Sequence, residues 1–229
     1  VIGAGVMGAT IAAHAANVGL ETVLLDIVPP KMPDELAKKG VSQDSPTYRN
    51  YFAAKGLEGA IKSRPAAFYV KDNAKLVSIG NLDDNLDMLA DCDWIVEVVV
   101  ELLNIKKDLL SRVEKVVKPT AIVTTNTSGI SVGAMSHHLR EDFKSRYCGT
   151  HFFNPPRYLK LYEVIPGPKT SQDVLNTMAD FGERVLGKGV VWCKDTPNFI
   201  GNRVGIFNGC LTNKLMEEFD FTVEQVDAI

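Results

Sequence analysis

The chain has 229 residues, 45% of them hydrophobic and 23% charged, ordinary globular values that exclude wholesale disorder and collagen-like or mucin-like chains. The length suits one large domain, or one domain and part of a second. A formal charge of −3, from 25 basic and 28 acidic residues, leaves no global basic field for nucleic acid, and no apolar run approaches the roughly 18 residues of a membrane helix.

In chain order, the apolar runs at 21–26, 76–79, 93–100, 121–125, 147–153, 161–165 and 190–193 predict strands. Several are continuous rather than alternating, as in a parallel sheet covered on both faces. Helical patterns lie between them at 6–18, 46–61, 105–117 and 171–186. This alternation predicts a doubly wound α/β (Rossmann) domain with a mostly parallel sheet, over residues 1–197. Residues 28–45, rich in Pro, Lys and Asp, read as an exposed excursion. Residues 198–229 read as the first helix of an all-α domain, capped by Asp195 or Thr196 with Pro197 near its first position. The chain begins at Val1, with only Val1 and Ile2 ahead of the glycine turn, and stops at Ile229 without a helix C-cap signal. The expectation is a portion of a longer protein.

Gly3-Ala4-Gly5-Val6-Met7-Gly8 is a G-x-G-x-x-G turn that opens a helix. Gly3 permits the tight turn, Gly5 lets the backbone approach a pyrophosphate, and Gly8 lets the helix pack on the strand. The helix N-terminus, including Val6 and Met7, offers N–H groups to phosphates. Asp26 ends the next strand, where a carboxylate accepts ribose hydroxyls and repels a 2′-phosphate, so the cofactor is NAD rather than NADP. His151 ends an apolar strand and Glu163 lies on the next one. A carboxylate on one ring nitrogen makes the other a better base.

These residues carry a resemblance to the 3-hydroxyacyl-CoA dehydrogenases. HFFNPPRYLKLYEVIPG is similar to that family's His-to-Glu signature and KDTPNFIGNRV to its second signature, while TNTSGIS and EVVVELLNIKKDLL match two further blocks. The wording is most like the long bacterial enzymes of fatty-acid β-oxidation. The resemblance implies NAD-dependent oxidation of a 3-hydroxyacyl-CoA to the 3-keto compound. It implies His151 as general base with Glu163 as its partner, and Ser128 near the substrate oxygen. Asn154 would order the site and Asn202 reach the substrate carbonyl region. Glu101 and Lys106 would contact the nicotinamide end of NAD; the plain alternative is an exposed pair at a helix start. Gly129 stands where a second serine is usual, and the family's CoA-binding lysines find no firm match, Lys55 and Lys62 being candidates.

Other readings remain open. Cys148, His151 and Glu163 could suggest a thiol hydrolase, but Cys148 and His151 are three apart on a strand and face opposite ways. His137, His138 and Asp142 look metal-like, although adjacent histidines point in different directions; the four cysteines, Cys92, Cys148, Cys193 and Cys210, fit neither a zinc pattern nor a disulfide framework. No metal is expected, and reduced thiols suit the cytoplasm. An NAD-binding relative without turnover, or another hydroxyacid dehydrogenase of the superfamily, are the alternatives. Ile200, Val204, Phe207, Leu211 and Leu215 form one helical stripe. It is expected either to pack back on its own domain or, with Gly201, Gly205 and Gly209 allowing close approach, to pair with a second copy as a homodimer.

Overall fold

A computed structural model describes residues 1–229. The apolar runs form seven strands: β1 (Thr22–Asp26), β2 (Val77–Asn81), β3 (Trp94–Glu97), β4 (Ile122–Thr125), β5 (Tyr147–Phe152), β6 (Leu161–Pro166) and β7 (Gly189–Trp192). Ile2 bridges Leu25 of β1 and Glu97 of β3, both in parallel. Through it the strands β2-β1 and β3-β4-β5-β6-β7 read as one sheet. Pairing is parallel except between β5 and β6, which are antiparallel. The doubly wound, mostly parallel sheet expected from the sequence is present.

One face of the sheet is covered by α1 (Val6–Asn17), α4 (Tyr51–Lys62) and α8 (Gln172–Arg184). The core there includes Ile11, Leu24, Val96, Cys148, Tyr162 and Met178. The other face is covered by α5 (Leu103–Val116), α6 (Val132–Ser136) and α7 (Glu141–Lys144), with Leu25, Leu110, Val123, Phe143, Tyr147 and Ile165 among its core. Tyr147 and Cys148 thus point into opposite cores, the period-two alternation of a strand. The 28–45 excursion contains α2 (Asp34–Ala37) and is followed by α3 (Pro46–Arg49).

For the last helices one expectation is corrected and one of two alternatives falls. Helix α9 (Gly201–Phe219) starts later than predicted, and its N-cap position is Ile200. Asn198 and Phe199 have φ of 63° and 46°, left-handed values that a right-handed helix cannot accommodate, so the segment turns once more before the helix begins. Asp195 instead caps α6, accepting from the N–H groups of Val132 and Gly133 (both 2.9 Å) and from the Ser131 hydroxyl (2.7 Å). Nor does α9 pack back on its own domain. None of its residues is buried, and the stripe residues Val204, Phe207, Leu211 and Leu215 are 39–65% exposed. The short α10 (Val223–Asp227) follows, opened by a Thr222/Gln225 capping box.

A buried histidine gives the fold a pH dependence. His14 on α1 is 2% exposed. Its Nε2 lies 3.0 Å from the Leu186 carbonyl. Burial and the nearby Lys188 push its pKa down from 6.5 to about 4. The unfolded chain therefore binds a proton that the folded one refuses, and stability falls as pH drops from 6.5 towards 4, by about 3 kcal/mol at the limit. Urea unfolding should show a smaller loss between pH 7 and pH 4.5 for His14→Gln than for wild type. Equal losses would contradict this assignment.

Candidate active site

The glycine turn is built for close contact. Gly3 has φ of 102°, and a Cβ there would lie 2.6 Å from the Val98 carbonyl oxygen. A Cβ on Gly8 would lie 1.8 Å from the Gly3 oxygen, whereas one on Gly5 would meet nothing within 4 Å. Gly5 and Val6 are exposed, Met7 half-buried, and the first turn of α1 carries no acidic side chain. A cleft of about 410 Å³ opens beside them, lined by Ala4, Gly5, Val6, Thr10, Phe52 and Lys55 among others. The Asp26 carboxylate reaches back to the turn, accepting from the Ala4 N–H at 2.6 Å and from the Ile27 N–H at 2.7 Å. An open glycine backbone, a helix N-terminus and a carboxylate fixed beside them fit a dinucleotide with a free ribose diol.

The antiparallel pairing of β5 and β6 sets His151 directly opposite Glu163. Directly opposite side chains lie within reach of each other, and a slip of one residue would turn Glu163 to the other face. His151 Nδ1 lies 2.7 Å from Glu163 Oε2. The carboxylate can only accept, so Nδ1 carries a hydrogen, and in the neutral ring Nε2 is then bare. Nε2 lies 3.0 Å from the Ser128 hydroxyl, which donates to it. The ring sits between Phe153 and Phe199, with centroids at 4.5 and 5.7 Å. Glu163 is fully buried, and its Oε1 accepts from the N–H groups of Ile200 (2.9 Å) and Gly201 (2.7 Å). It therefore caps α9. Burial works to raise the Glu163 carboxyl, but the bonds from His151, Gly201 and Ile200 outweigh it and hold the group below its usual value.

Ser128 sits on the loop between β4 and α6, and Glu101 holds that loop. Glu101 Oε1 accepts from the Ser128 N–H (2.8 Å), the Gly129 N–H (3.0 Å) and the Thr127 hydroxyl. Burial opposes ionisation of Glu101, while the Thr127 hydroxyl, Lys106 and these N–H groups lower its pKa overall. Lys106 is not the exposed partner of a surface pair. Its side chain is 1% exposed, with Nζ 2.7 Å from Glu97 and 3.2 Å from Glu101. Glu97, at the end of β3, was not singled out by the motifs. The signal was available: an acid in the middle of the run WIVEVVV must find a partner if the strand is buried.

The asparagines are placed less closely. Asn154 is exposed just beyond β5, and Asn202 is half-buried in the first turn of α9. No hydrogen bond joins either side chain to His151 or Glu163. Lys55 and Lys62 are both engaged by carboxylates, Lys55 by Glu35 and Glu58 and Lys62 by Glu58. The Cys148 thiol is buried and pushed up to about 12 by that burial, on the opposite face from His151, so it cannot pair with that imidazole as a nucleophile. Ser128, His151 and Glu163 do line up like a hydrolase triad. However, the N–H groups of Ser128 and Gly129 both end on the Glu101 carboxylate. An oxyanion beside Ser128 would meet that negative charge instead of free donors.

The model of the family described as "3-hydroxyacyl-CoA dehydrogenase, NAD binding domain" matches residues 1–196. A Deinococcus radiodurans protein named "Probable 3-hydroxyacyl-CoA dehydrogenase" is 47% identical over 229 residues, spanning 100% of this chain and 62% of the relative. A Bacillus subtilis protein of the same name is 46% identical over 229 residues, again 100% of this chain but 29% of the relative. The chain thus spans less than two thirds of either. Among solved structures, FadB2 of M. tuberculosis is similar with a TM-score of 0.74 at 27% identity, over 97% of this chain and 72% of the other. The chain belongs to the NAD-binding domain family of the 3-hydroxyacyl-CoA dehydrogenases, and its cofactor is NAD.

Proposed function

We propose that this chain supplies the cofactor domain and the catalytic base of an enzyme that oxidises 3-hydroxyacyl-CoA to 3-ketoacyl-CoA in fatty-acid β-oxidation. The observation that carries the proposal is His151, with Nδ1 tied to a buried carboxylate and Nε2 pointed at a hydroxyl. NAD, when bound, accepts the hydride from C3. Gly3, Gly5, Val6, Met7 and Gly8 cradle its pyrophosphate and Asp26 holds the adenosine ribose. Glu101, the exposed member of its pair with Lys106, faces the nicotinamide end, and the buried Lys106 holds it there. The Ser128 hydroxyl marks where the substrate oxygen sits. His151 Nε2 takes the 3-hydroxyl proton, and Glu163 stabilises the imidazolium that results. In the reverse direction Nε2 returns that proton to the substrate oxygen. Asn154 orders the site and Asn202 lies towards the acyl carbonyl.

In this reading residues 1–197 form the NAD domain and 198–229 begin a helical one. The exposed α9 stripe pairs with a second copy, because Gly205 and Gly209 leave open space beside it. A cytoplasmic site accords with the free cysteines. No helix is long and apolar enough to cross a membrane.

Cofactor choice and chemistry are separately testable. NADH should bind at least about tenfold more tightly than NADPH, a gap of about 1.4 kcal/mol, and Asp26→Ala should weaken NADH and narrow that gap. Equal affinities by calorimetry would overturn the role of Asp26. With NADH and acetoacetyl-CoA, followed by nicotinamide absorbance, His151→Ala and Glu163→Gln should each lower turnover by about 10²- to 10⁴-fold. NADH affinity should stay within about twofold. A Glu163→Gln protein running at the wild-type rate across pH would refute the pairing.

A further inference from the structure

We propose that Glu97 is a positioning residue for the base: acting through Lys106, Glu101 and Thr125, it fixes the Ser128 hydroxyl against His151. Glu97 is fully buried and touches neither the open cleft nor His151. Each of its carboxylate oxygens nonetheless has one partner that leads to the loop that carries Ser128. Oε1 takes the Lys106 ammonium and the Val99 N–H, both at 2.7 Å. Oε2 takes the Thr125 hydroxyl at 2.7 Å.

Two routes lead from there to Ser128. On the first, Lys106 also holds Glu101 Oε2 at 3.2 Å, and Glu101 Oε1 gathers the N–H groups of Ser128 and Gly129. On the second, the Thr125 hydroxyl oxygen accepts the Thr127 N–H at 3.1 Å. A third tie is backbone only: the Asn126 N–H donates to the Glu97 carbonyl at 2.8 Å. The loop 126–129 is thereby fixed from both ends, and Ser128 Oγ is left 3.0 Å from His151 Nε2.

The charge on Glu97 matters as well as its shape. Lys106 lies between two carboxylates with its side chain 1% exposed. Were Glu97 neutral, Lys106 would have only Glu101 as counter-ion and would be drawn towards it. Glu101 and the loop it holds would then move together. A buried pair of this kind is weak evidence for stability and better evidence for register. Here the register is that of one hydroxyl against one imidazole nitrogen.

The inference rests on the pairing of Ser128 with His151 and uses no acyl-CoA, so its failure is distinct from a failure of the dehydrogenase reading. The test is imidazole ¹⁵N spectroscopy of the full chain, with Nε2 of neutral His151 as the reporter. Ser128→Ala removes the bond to Nε2 and sets the reference displacement. Glu97→Gln should displace Nε2 in the same direction. In the Ser128→Ala background it should add nothing, because the group it acts through is gone. The Nδ1 resonance, which reports on Glu163, should stay in place.

Thr125→Val keeps every charge and removes only the second route. It should give a smaller displacement of the same kind, and it decides the question if Glu97→Gln does not fold. A general loosening of the fold would move both nitrogens and would add to the effect of Ser128→Ala. Such additivity, or a wild-type Nε2 resonance in Glu97→Gln and Thr125→Val, would overturn the proposal.

Discussion

The Glu163 carboxylate is fully buried, and a buried carboxylate stays charged only if the protein supplies its hydrogen bonds. Its two oxygens divide the supply. Oε2 is engaged by His151, while Oε1 takes the first free N–H groups of α9, from Ile200 and Gly201. Several features follow from that division. The β5/β6 register must set His151 opposite Glu163. The segment before α9 must turn through left-handed values at Asn198 and Phe199 to bring those N–H groups inward. Phe199 then packs against the imidazole. One anion thus orients the His151 imidazole and fixes where the exposed helix departs from the sheet.

The imidazole is held from its other side by a second group of charges. Ser128 meets Nε2, and Glu101 holds the Ser128 loop. Behind Glu101 stands the buried Lys106–Glu97 pair. Breaking such a pair by removing one partner costs about 3–5 kcal/mol, so the loop is anchored to a structure that does not give way easily. The imidazole is set between two anionic anchors, one through Nδ1 and one through a serine. That arrangement suits proton transfer at Nε2. It does not suit acyl transfer, because the donors an oxyanion would need are already spent on Glu101.

Much of this was legible in the residues because it depends on local rules. The glycine turn follows from what a close backbone approach requires, and Asp26 at the end of β1 bonds back to it. The His151–Glu163 pair follows from two apolar strands joined by a short loop. What could not be read depends on long-range partners. Asp195 looks like a cap for the helix just after it, and only the tertiary structure shows it serving α6. The start of α9 is set by a carboxylate 37 residues upstream of Ile200. Lys106 looked like a possible surface residue because nothing in helical spacing says that Glu97 waits beneath it. The stripe on α9 was readable as a stripe, but its periodicity does not say which surface it meets, and it does not meet its own domain.

One carboxylate serves both the His151 imidazole and helix α9. Amide hydrogen exchange at Ile200 and Gly201, compared between wild type, Glu163→Ala and His151→Ala, tests it most directly. A hydrogen bond to a charged acceptor contributes about 1.5–3 kcal/mol, so losing it should speed exchange at these two amides by about tenfold or more. The account predicts that loss in Glu163→Ala, with protection retained in His151→Ala and across the sheet in both. Unchanged protection of Ile200 and Gly201 in Glu163→Ala would contradict it.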